Sequence, residues 1–566
     1  MRKTLLSFFV ILGVIGLFLE QYRNTPGLWG WIVIIIDYSL LSYLLGDFLW
    51  GLKTSPGRLQ YIRRNLFSFL FLLLYLSLFL FNLFLGQRST VLSRDNNLVT
   101  IIRNILLVLK IFGRFRKVST FVQSIITKPA QTVVFSFIMV ILIGSLILMM
   151  PVMSTGPALS PIDALFTVTS AVCVTGLIVV DTATRFTPLG QLTILLLIQI
   201  GGLGIMLLSF FMVFLFRQKL SMKDKNLLSY MLNSKNTLTL KKSVLRIIGL
   251  TFLIELTGMV CLLPVFRQSG LSPGAASFYS LFHSVSAFCN AGFALFSDSL
   301  MSFNDNVMLN IIITTLIIAG GISFAVLTDI YSLIFNRFKK RKVDLAINTK
   351  VVLIVSTLLT LSGTLIIYKL EHRENLFPAP IWSQYLSSYF QTVTLRTAGF
   401  NTMPFERLSS GTLVIMMGLM FIGGASGSTA GGIKVNTLGV VWAYIRSFRK
   451  GEQEILLYKH QIPKDYILQA FTVIAFAVFS IFVIASLMMI SEEAPPLSIL
   501  FETVSAFATV GLSTGITGTL SPLGKTGIIL LMFLGRLGPL TLLTASSGKE
   551  KSSRISYPEA SSILIG

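Results

Sequence analysis

The sequence predicts an all-α membrane protein that crosses the bilayer several times and is built mainly from four related segments. Three observations support this: the composition, the placement of the basic residues, and a motif that recurs four times. The chain has 566 residues, of which 54% are hydrophobic and 12% charged, and its mean hydropathy is +0.80. Soluble domains carry about 25% charged residues. Apolar runs such as 192–216 reach the ~20 residues that a helix needs to cross the hydrocarbon core,.

The net charge of +23 comes from Lys and Arg residues that cluster in short connectors between the apolar runs. These basic connectors are 51–64, 113–117, 217–225, 336–342, 446–450 and 549–554, and they alternate with acidic or neutral connectors at 297–306, 371–375 and 491–496. Cytoplasmic loops carry such an excess of basic residues. We therefore expect a multi-pass protein of the cytoplasmic membrane with both termini in the cytoplasm. The same distribution points to the lipid bilayer as partner and excludes nucleic acid.

One motif recurs four times along the chain. Its copies are LFTVTSAVCVTGL (165–177), LFHSVSAFCNAGF (281–293), YFQTVTLRTAGF (389–400) and LFETVSAFATVGL (500–512). Their glycines, called the repeat glycines below, are Gly176, Gly292, Gly399 and Gly511. A phenylalanine lies ten residues before the glycine in three copies and nine before it in the third. Each copy stands between two apolar runs, which predicts four pseudo-symmetric M1–P–M2 repeats: a spanning helix, a half-helix with its loop, and a second spanning helix.

These spacings predict five regions of the chain. They are an N-terminal domain of about four extra transmembrane helices (1–118), repeat 1 (119–240), repeat 2 (241–345), repeat 3 with an intramembrane loop (346–460), and repeat 4 with the C-terminal tail (461–566). Within the first region, Arg103, Lys110, Arg114 and Lys117 lie near one face of an apolar helix,. Voltage sensing and cytoplasmic anchoring are both compatible with this pattern, and we favour anchoring.

The repeat glycines suggest the chemistry of the site. Non-helical backbone at membrane depth is tolerated where it is buried in protein or lines a water-filled cavity. Glycine also permits the positive φ values that direct a carbonyl group inward. Four such turns around a central pore would form a ring of oxygens able to replace the water shell of a cation. Close packing of helices is the alternative for a single copy, but four copies in register favour the ring.

A second segment interrupts the long apolar stretch 411–445. This intramembrane loop, GGASGSTAGGIK (423–434), lacks the GxxxxGK[ST] pattern of a phosphate-binding loop,. We interpret it as a mobile plug beneath the third repeat glycine. Glu255 is an ionisable residue within an apolar run, and we expect it to pack against a neighbouring helix. A further hypothesis pairs Arg396 with Glu502.

His283, Gln391 and Glu502 each follow the phenylalanine of their copy by one residue. We expect them to act as polar tethers behind the half-helices.

With these motifs, the chain resembles the Trk/Ktr/HKT superfamily of potassium transporters, and most closely the Ktr-type membrane subunit. The resemblance covers about residues 120–566 and extends to FIGGASGSTAGGIKVNT (421–437), LGRLGPLT (534–541) and YPEASSILIG (557–566). It implies K⁺ uptake through a channel-like transporter, often Na⁺-dependent, that works as a homodimer on a cytosolic nucleotide-binding ring of the RCK type. Glycine in all four segments matches the more K⁺-selective branch.

The resemblance also implies two sets of site residues. It assigns K⁺ coordination by main-chain oxygens to Val174, Thr175, Gly176, Asn290, Ala291, Gly292, Thr397, Ala398, Gly399, Thr509, Val510 and Gly511. It assigns the gate to Gly423, Gly424, Ser426, Gly427, Ser428, Thr429, Gly431, Gly432, Lys434 and Arg536. Each copy keeps one glycine, whereas the TVGYG filter has two, so we expect weaker discrimination between ions.

Three alternatives stay open beside K⁺ uptake. Two belong to transport: a less selective Na⁺/K⁺ pathway, and a membrane subunit of a larger cation-translocating complex. The third is a membrane-embedded enzyme, which would need paired carboxylates or a His/Cys cluster at membrane depth. The three histidines, His283, His372 and His460, are widely separated in the sequence. We therefore expect neither enzymatic activity nor an organic cofactor, only K⁺ as the transported ion and Na⁺ as a second candidate.

Overall fold

The computed structural model describes residues 129–204, 240–338, 345–373 and 380–546, apart from 158, 406–407, 453 and 459, together with five single positions between 35 and 53. The expected extra helices of region 1–118, including the helix with Arg103, Lys110, Arg114 and Lys117, and the tail after residue 546 thus lie outside the described ranges. Two compact units divide the chain: Met1–Thr127 with Met149–Ala158, and Lys128–Leu148 with Leu159–Gly566. In the first unit, a 3₁₀ turn at Pro151–Met153 is described.

The second unit is mostly helical, as expected of apolar segments that must satisfy their backbone hydrogen bonds internally. Its first helices are α1 (Pro129–Leu148), α2 (Pro161–Val172), the short α3 (Thr182–Arg185) and α4 (Pro188–Leu203). The next are α5 (Leu240–Gln268), α6 (Pro273–Phe288), α7 (Val307–Gly321) and α8 (Phe324–Phe338). A 3₁₀ turn, Met301–Phe303, precedes α7.

The third and fourth groups of helices follow the same order. They are α9 (Ile347–Arg373), α10 (Ile381–Thr394), α11 (Ser410–Phe421), α12 (Val435–Lys450), α13 (Lys464–Ser491), α14 (Pro496–Ala508), α15 (Pro522–Leu537) and α16 (Pro539–Ser546). A 3₁₀ turn, Thr517–Thr519, precedes α15. Between α12 and α13, strands β1 (Leu456–Leu457) and β2 (His460–Gln461) pair antiparallel, with Leu456 opposite Gln461.

Membrane-spanning capacity is found in three long helices of the described ranges. Helices α5, α9 and α13 contain apolar stretches of 24, 26 and 28 residues. Two bent pairs also qualify when each is taken as one span: α7 with α8, bent by 105°, and α15 with α16, bent by 90°. The short helices α2 and α14 are apolar but too short to cross a bilayer,.

Helix starts follow from local sequence signals. Ser or Thr directly before Pro begins α2, α4, α6 and α15, at Ser160, Thr187, Ser272 and Ser521. In each case the hydroxyl oxygen accepts a hydrogen bond from a backbone N–H of the first turn, and proline tolerates the first helical position because its missing N–H would have no intrahelical partner. These caps fix where the half-helices α2 and α6 begin.

The core of the unit is rich in phenylalanine. Every one of the largest fully buried side chains in the described ranges is a phenylalanine, and the four repeat phenylalanines Phe166, Phe282, Phe390 and Phe501 are all 0% exposed. Each lies on α2, α6, α10 or α14 and packs that helix into the protein. The motif phenylalanine is therefore a packing anchor of its half-helix.

Candidate cation-binding ring and gate

The four repeat glycines lie against one another in a closed ring. A Cβ atom placed on any of them would strike the carbonyl oxygen of the residue that precedes the next repeat glycine. These contacts run from Gly176 to Ala291 (2.5 Å), from Gly292 to Ala398 (2.7 Å), from Gly399 to Val510 (2.5 Å) and from Gly511 back to Thr175. The ring closes within one chain, and its contacts bring together main-chain atoms from all four predicted segments.

The backbone of the ring has the same conformation in each copy. Each repeat glycine has a positive φ, between +69° and +95°. The residue two positions earlier is also left-handed: Val174 (φ 56°), Asn290 (59°), Thr397 (73°) and Thr509 (52°). Left-handed conformations are rare for β-branched residues and persist only where surrounding structure enforces them. Three copies have a β-branched residue at this position and the second has Asn290, which adopts the left-handed region more readily,. The shared backbone conformation marks the twelve residues of the four segments as a candidate site.

Hydroxyl side chains hold each segment in shape. Ser170 and Ser505 accept hydrogen bonds from the N–H groups of Gly176 (3.0 Å) and Gly511 (3.2 Å). In the other two copies, Ser286 and Thr394 donate to the carbonyl oxygens of Phe293 (2.8 Å) and Phe400 (2.7 Å). Sequence reasoning missed these residues, although a hydroxyl at matching positions of four copies was a visible signal.

The third copy is one residue shorter than the others, and the backbone shows where. In copies 1, 2 and 4 the N–H of Thr175, Ala291 and Val510 reaches the carbonyl oxygen five residues earlier, at 2.8 Å. In copy 3, Ala398 reaches Thr394, only four residues earlier, also at 2.8 Å. The missing residue is therefore absorbed in the turn between half-helix and glycine, and Gly399 keeps its place in the ring.

The electrostatics of the ring favour a cation. Helices α2, α6, α10 and α14 all end a few residues before a repeat glycine. The C-terminal end of a helix carries a partial negative charge. The twelve residues of the ring include no acidic or basic side chain. Carbonyl oxygens and helix ends are therefore the groups that it offers to an ion.

Polar tethers lie behind three of the half-helices, as expected. His283 accepts from the N–H of Leu295 (3.3 Å), and Gln391 donates to the hydroxyl of Thr402 (3.5 Å). Glu502 accepts from Thr517 (3.1 Å) and also from Ser513. Each tether joins a half-helix to the chain that follows its own glycine.

The pairing of Arg396 with Glu502 is wrong. The Arg396 guanidinium donates to the hydroxyl of Ser356 on α9 at 3.0 Å, whereas Glu502 is occupied by Ser513 and Thr517 of its own copy. Arg396 lies three residues before Gly399 and faces the preceding helix. Its position in the turn directs it away from the fourth half-helix.

The predicted break in the third repeat is confirmed. Helix α11 ends at Phe421 and α12 begins at Val435, so the non-helical stretch includes the whole intramembrane loop. Two of its glycines pack against ring residues: a Cβ atom on Gly423 would lie 3.3 Å from the Thr397 methyl group, and one on Gly431 would strike the Thr509 side chain. Gly432 lies beside Ala508. The loop therefore packs against the third and fourth segments.

The rest of the loop is fastened to neighbouring helices. Ala425 and Thr429 donate backbone hydrogen bonds to the carbonyl oxygens of Gly321 (3.1 Å) and Gly320 (3.2 Å) on α7. Gly424 and Gly427 accept from the backbone of α12 and α8, Ser426 donates to the Asn436 side chain, and the Ser428 hydroxyl donates to Ala425. The Lys434 ammonium donates to the carbonyl oxygen of Ala430 at 2.7 Å.

Arg536 connects the loop to the first repeat. Its guanidinium donates to the carbonyl oxygen of Thr429 in the loop and to that of Gly201 on α4. An arginine at membrane depth is costly unless it has polar partners, and both partners here are carbonyl groups. No sequence pattern reveals such partners, because every residue carries a carbonyl.

Glycine near the end of each second helix, paired with another glycine in three of the four copies, explains why these elements can approach so closely. The pairs are Gly201-Gly202, Gly320-Gly321 and Gly423-Gly424, and the fourth copy has Gly535-Arg536 in the same place. In copies 1, 2 and 4, the first glycine packs on a carbonyl oxygen at the end of the half-helix, at Val172, Phe288 and Phe507. Arg536 thus stands where the other repeats have a second glycine.

Apolar spanning helices, a backbone ring closed within one chain and a loop packed against it define a helical membrane protein with a candidate cation site. Residues 93–556 match the family TrkH, described as a cation transport protein. The chain belongs to this family, which confirms the resemblance to Trk and Ktr proteins.

Three known proteins illustrate the relationship. The chain is 40% identical to the Ktr system potassium uptake protein B of Bacillus subtilis (strain 168) over 76% of this chain and 95% of that protein. It is 36% identical to the potassium/sodium uptake protein NtpJ of Enterococcus hirae over 77% and 97% of the two chains. The solved structure of the potassium transporter TrkH from Vibrio parahaemolyticus shares the fold, with a TM-score of 0.61, 18% identity and coverage of 86% and 98%.

Proposed function

We propose that this protein takes up K⁺ across the cytoplasmic membrane through a pore lined by the closed ring of repeat glycines. The observation that supports the proposal is the ring itself, in which four left-handed segments from one chain bring main-chain oxygens against the neighbouring repeat glycines. Carbonyl rings of this kind replace the hydration shell of K⁺ in channels. In this proposal the four groups of helices are four M1–P–M2 repeats.

The type of coordinating oxygen and the related proteins both favour potassium over other cations. Neutral carbonyl oxygens suit a weakly hydrated monovalent cation, whereas Ca²⁺ and Mg²⁺ sites usually include carboxylates. The related proteins of Bacillus subtilis and Vibrio alginolyticus are named potassium uptake proteins. The ring would coordinate K⁺ through Val174–Gly176, Asn290–Gly292, Thr397–Gly399 and Thr509–Gly511.

The intramembrane loop and Arg536 form the gate in this proposal. The loop contacts the ring residues Thr397 and Thr509, and the Arg536 guanidinium joins it to α4. A positive charge at that place raises the barrier for a cation that leaves the ring. Movement of the loop away from Thr397 and Thr509 would open the path.

The wider assembly is part of the proposal. Two copies would form a homodimer on a cytosolic nucleotide-binding ring of the RCK type, with both termini in the cytoplasm. The basic connectors support this orientation. The domain limits 1–118, 119–240, 241–345, 346–460 and 461–566 remain predictions, as do the extra N-terminal helices and their role as anchor or voltage sensor.

A less selective Na⁺/K⁺ pathway is the second candidate. One glycine in each segment, rather than two, favours it. So does the related protein of Enterococcus hirae, whose name includes both ions.

Ion flux into proteoliposomes separates the two candidates. The purified protein is reconstituted, and K⁺ and Na⁺ uptake are measured separately with the membrane potential set at zero or negative inside. We expect K⁺ uptake to exceed Na⁺ uptake clearly and to increase at negative potential. Equal permeation of both ions would support the second candidate, and absence of any cation flux would contradict both.

A further inference from the structure

A buried acid lies inside the second repeat, away from the ring. Glu255 belongs to α5, the apolar spanning helix of that repeat, and is only 2% exposed. None of the ion pairs formed among the described residues includes it. An ionisable side chain at membrane depth is costly and usually functional. Glu255 therefore needs an explanation beyond packing.

The carboxyl group of Glu255 contacts two elements of the site. The Gln199 side-chain amide on α4 donates to Glu255 Oε2 at 3.3 Å. The Cys289 thiol lies 3.9 Å from Glu255 Oε1 and 3.8 Å from Gln199 Oε1. The Ser284 hydroxyl of α6 donates to the Glu255 carbonyl oxygen at 2.6 Å. Glu255 is thus the centre of a polar cluster that joins α4, α5 and the second half-helix.

This cluster continues to the gate on one side and to the ring on the other. Gln199 lies two residues before Gly201, and the Gly201 carbonyl oxygen accepts a hydrogen bond from Arg536. Cys289 directly precedes Asn290, which has the left-handed backbone of the second segment. A Cβ atom on Gly202 would lie 2.5 Å from Cys289 Sγ. The path from Glu255 to Arg536 therefore runs through directly packed residues.

Few other charged or titratable groups face the cluster. Helices α4 and α7 carry no charged residue. On α6, His283 uses both ring nitrogens elsewhere, with the Tyr279 carbonyl (2.8 Å) and the Leu295 N–H (3.3 Å). Cys289 belongs to the cluster itself, and Arg536 is the charged gate residue at the far end of the path. The other charged gate residue, Lys434, donates to the Ala430 carbonyl oxygen within the loop. Glu255 is thus the acid of the cluster.

We propose that Glu255 is a positioning residue of the gate, which sets the place of the Gly201 carbonyl and of the second ring segment according to whether its carboxyl group carries a proton. Both side-chain contacts are with donors, the Gln199 amide and the Cys289 thiol, which suit a carboxylate. A proton on the carboxyl group would turn one of its oxygens into a donor and displace one of these contacts. Gly201 would then shift relative to Arg536.

The inference rests on the proposed function, because it concerns the gate of the same pathway. K⁺ uptake into proteoliposomes is measured for the wild type and for Glu255→Gln, with both sides buffered at steps between about pH 5 and pH 9. Glutamine has nearly the same shape as glutamate, and its amide stays uncharged at every pH in this range. Glu492→Gln provides the matched control, since Glu492 lies at the end of α13 and contacts Ser521. Size-exclusion profiles and thermal unfolding check that all variants fold.

We expect the wild type and Glu492→Gln to change their K⁺ uptake by at least about fivefold across this range, the lower end of common coupling between sites. Glu255→Gln should give a flat profile. A wild-type profile that is flat, or a Glu255→Gln profile that follows the wild type, would overturn the inference while leaving the pathway intact. If the wild type moves no cation at all, it is the proposed function that fails.

A second measurement tests the path itself. If Glu255 acts through Gly201, then Glu255→Gln and Arg536→Gln should not be additive in their effects on uptake. Additive effects would contradict the path even if the pH profile were flat. Should Glu255→Gln fail to fold, Gln199→Glu and Gln199→Met probe the same contact from α4, and unchanged pH profiles in both would overturn the inference.

Discussion

Gly511 shows at the scale of one residue why the ring tolerates so little change. Its φ is +91°, and a Cβ atom there would strike the Thr175 carbonyl oxygen and lie 2.8 Å from the Gly176 Cα. Both neighbours are backbone atoms, which cannot rotate away as a side chain can. The conformational strain alone costs about 1–3 kcal/mol for a residue other than glycine.

Gly511→Ala is therefore expected to reduce K⁺ uptake strongly and to lower the ratio of K⁺ to Na⁺ permeation. The added methyl group would push the fourth segment away from the Thr175 carbonyl oxygen and out of the ring. Flux in proteoliposomes with each ion measures both effects. Gly418→Ala is the control, since Gly418 lies within helix α11 and a Cβ there would meet nothing within 4 Å. Uptake and ion ratio equal to those of Gly418→Ala would contradict the role of the ring.

At the scale of elements, the intramembrane loop is held by few strong contacts. Arg536 supplies two of them, to Thr429 and Gly201. Hydrogen bonds that involve a charged group contribute about 1.5–3 kcal/mol each. Their loss should favour the displaced loop.

Arg536→Gln is expected to increase K⁺ uptake by about tenfold or more, since 1.4 kcal/mol already corresponds to a factor of ten in the closed-to-open ratio. Initial uptake rates in proteoliposomes measure this. Arg449→Gln, at the exposed end of α12, should leave the rate unchanged. A rate for Arg536→Gln that equals or falls below that of the control would exclude a closing role for the arginine.

A second pair of elements, α2 and α15, is joined near their N-terminal ends by an ion pair. Lys525 Nζ lies 2.8 Å from Asp163 Oδ1, and both side chains are mostly buried. Burial alone would raise the pKa of Asp163. Hydrogen bonds from Lys525 and Ser160, with the charges of Lys525 and Arg185, outweigh burial and hold this pKa below its usual 3.8.

Because the pKa of Asp163 is lower in the folded state, the pair stabilises the protein fully above pH 3.8 and loses this effect as the pH falls through the folded value,. Lys525→Met should lower the free energy of unfolding by about 1 kcal/mol at neutral pH. The difference from the wild type should shrink in acid, as thermal unfolding in detergent can show. Lys450→Met removes the exposed pair with Glu452 and should change little. A Lys525→Met deficit that is independent of pH would refute the ion-pair explanation.

At the scale of the whole molecule, the ring unites four distant parts of the chain, so an ion bound there should stabilise all of them together. A ligand that binds only the folded state adds about 2.7 kcal/mol when its concentration is 100 times Kd. We expect K⁺ to raise the temperature of thermal unfolding relative to the same concentration of N-methyl-D-glucamine. Gly511→Ala should lose this increase and Gly418→Ala should keep it. Equal unfolding temperatures in the two salts would contradict K⁺ binding at the ring.

The sequence allowed the repeats to be found because backbone constraints restrict residue type. A positive φ combined with the close approach of a neighbouring carbonyl oxygen requires glycine, and a packed half-helix requires its phenylalanine, so Gly176 and Phe166 have counterparts at a regular spacing. A hydroxyl residue also recurs at one position of all four copies, as Ser170, Ser286, Thr394 and Ser505. Comparing the copies position by position would have revealed it.

Other features could not be predicted, because they depend on packing between segments distant in sequence. The spacing of Arg396 and Glu502 does not reveal that one faces α9 and the other its own loop. The contacts of Arg536 are with carbonyl oxygens, which are present at every residue. The link from Glu255 to Gln199 joins residues 56 positions apart and follows no motif.

The ring closes within one polypeptide, from Gly176 through Gly292 and Gly399 to Gly511 and back. A channel whose filter is shared among subunits is silenced when one defective copy joins it. Here each copy would carry its own complete pathway. In a cell that makes equal amounts of intact and Gly511→Ala protein, about half of the transport should therefore survive, and the mutant allele should be recessive rather than dominant.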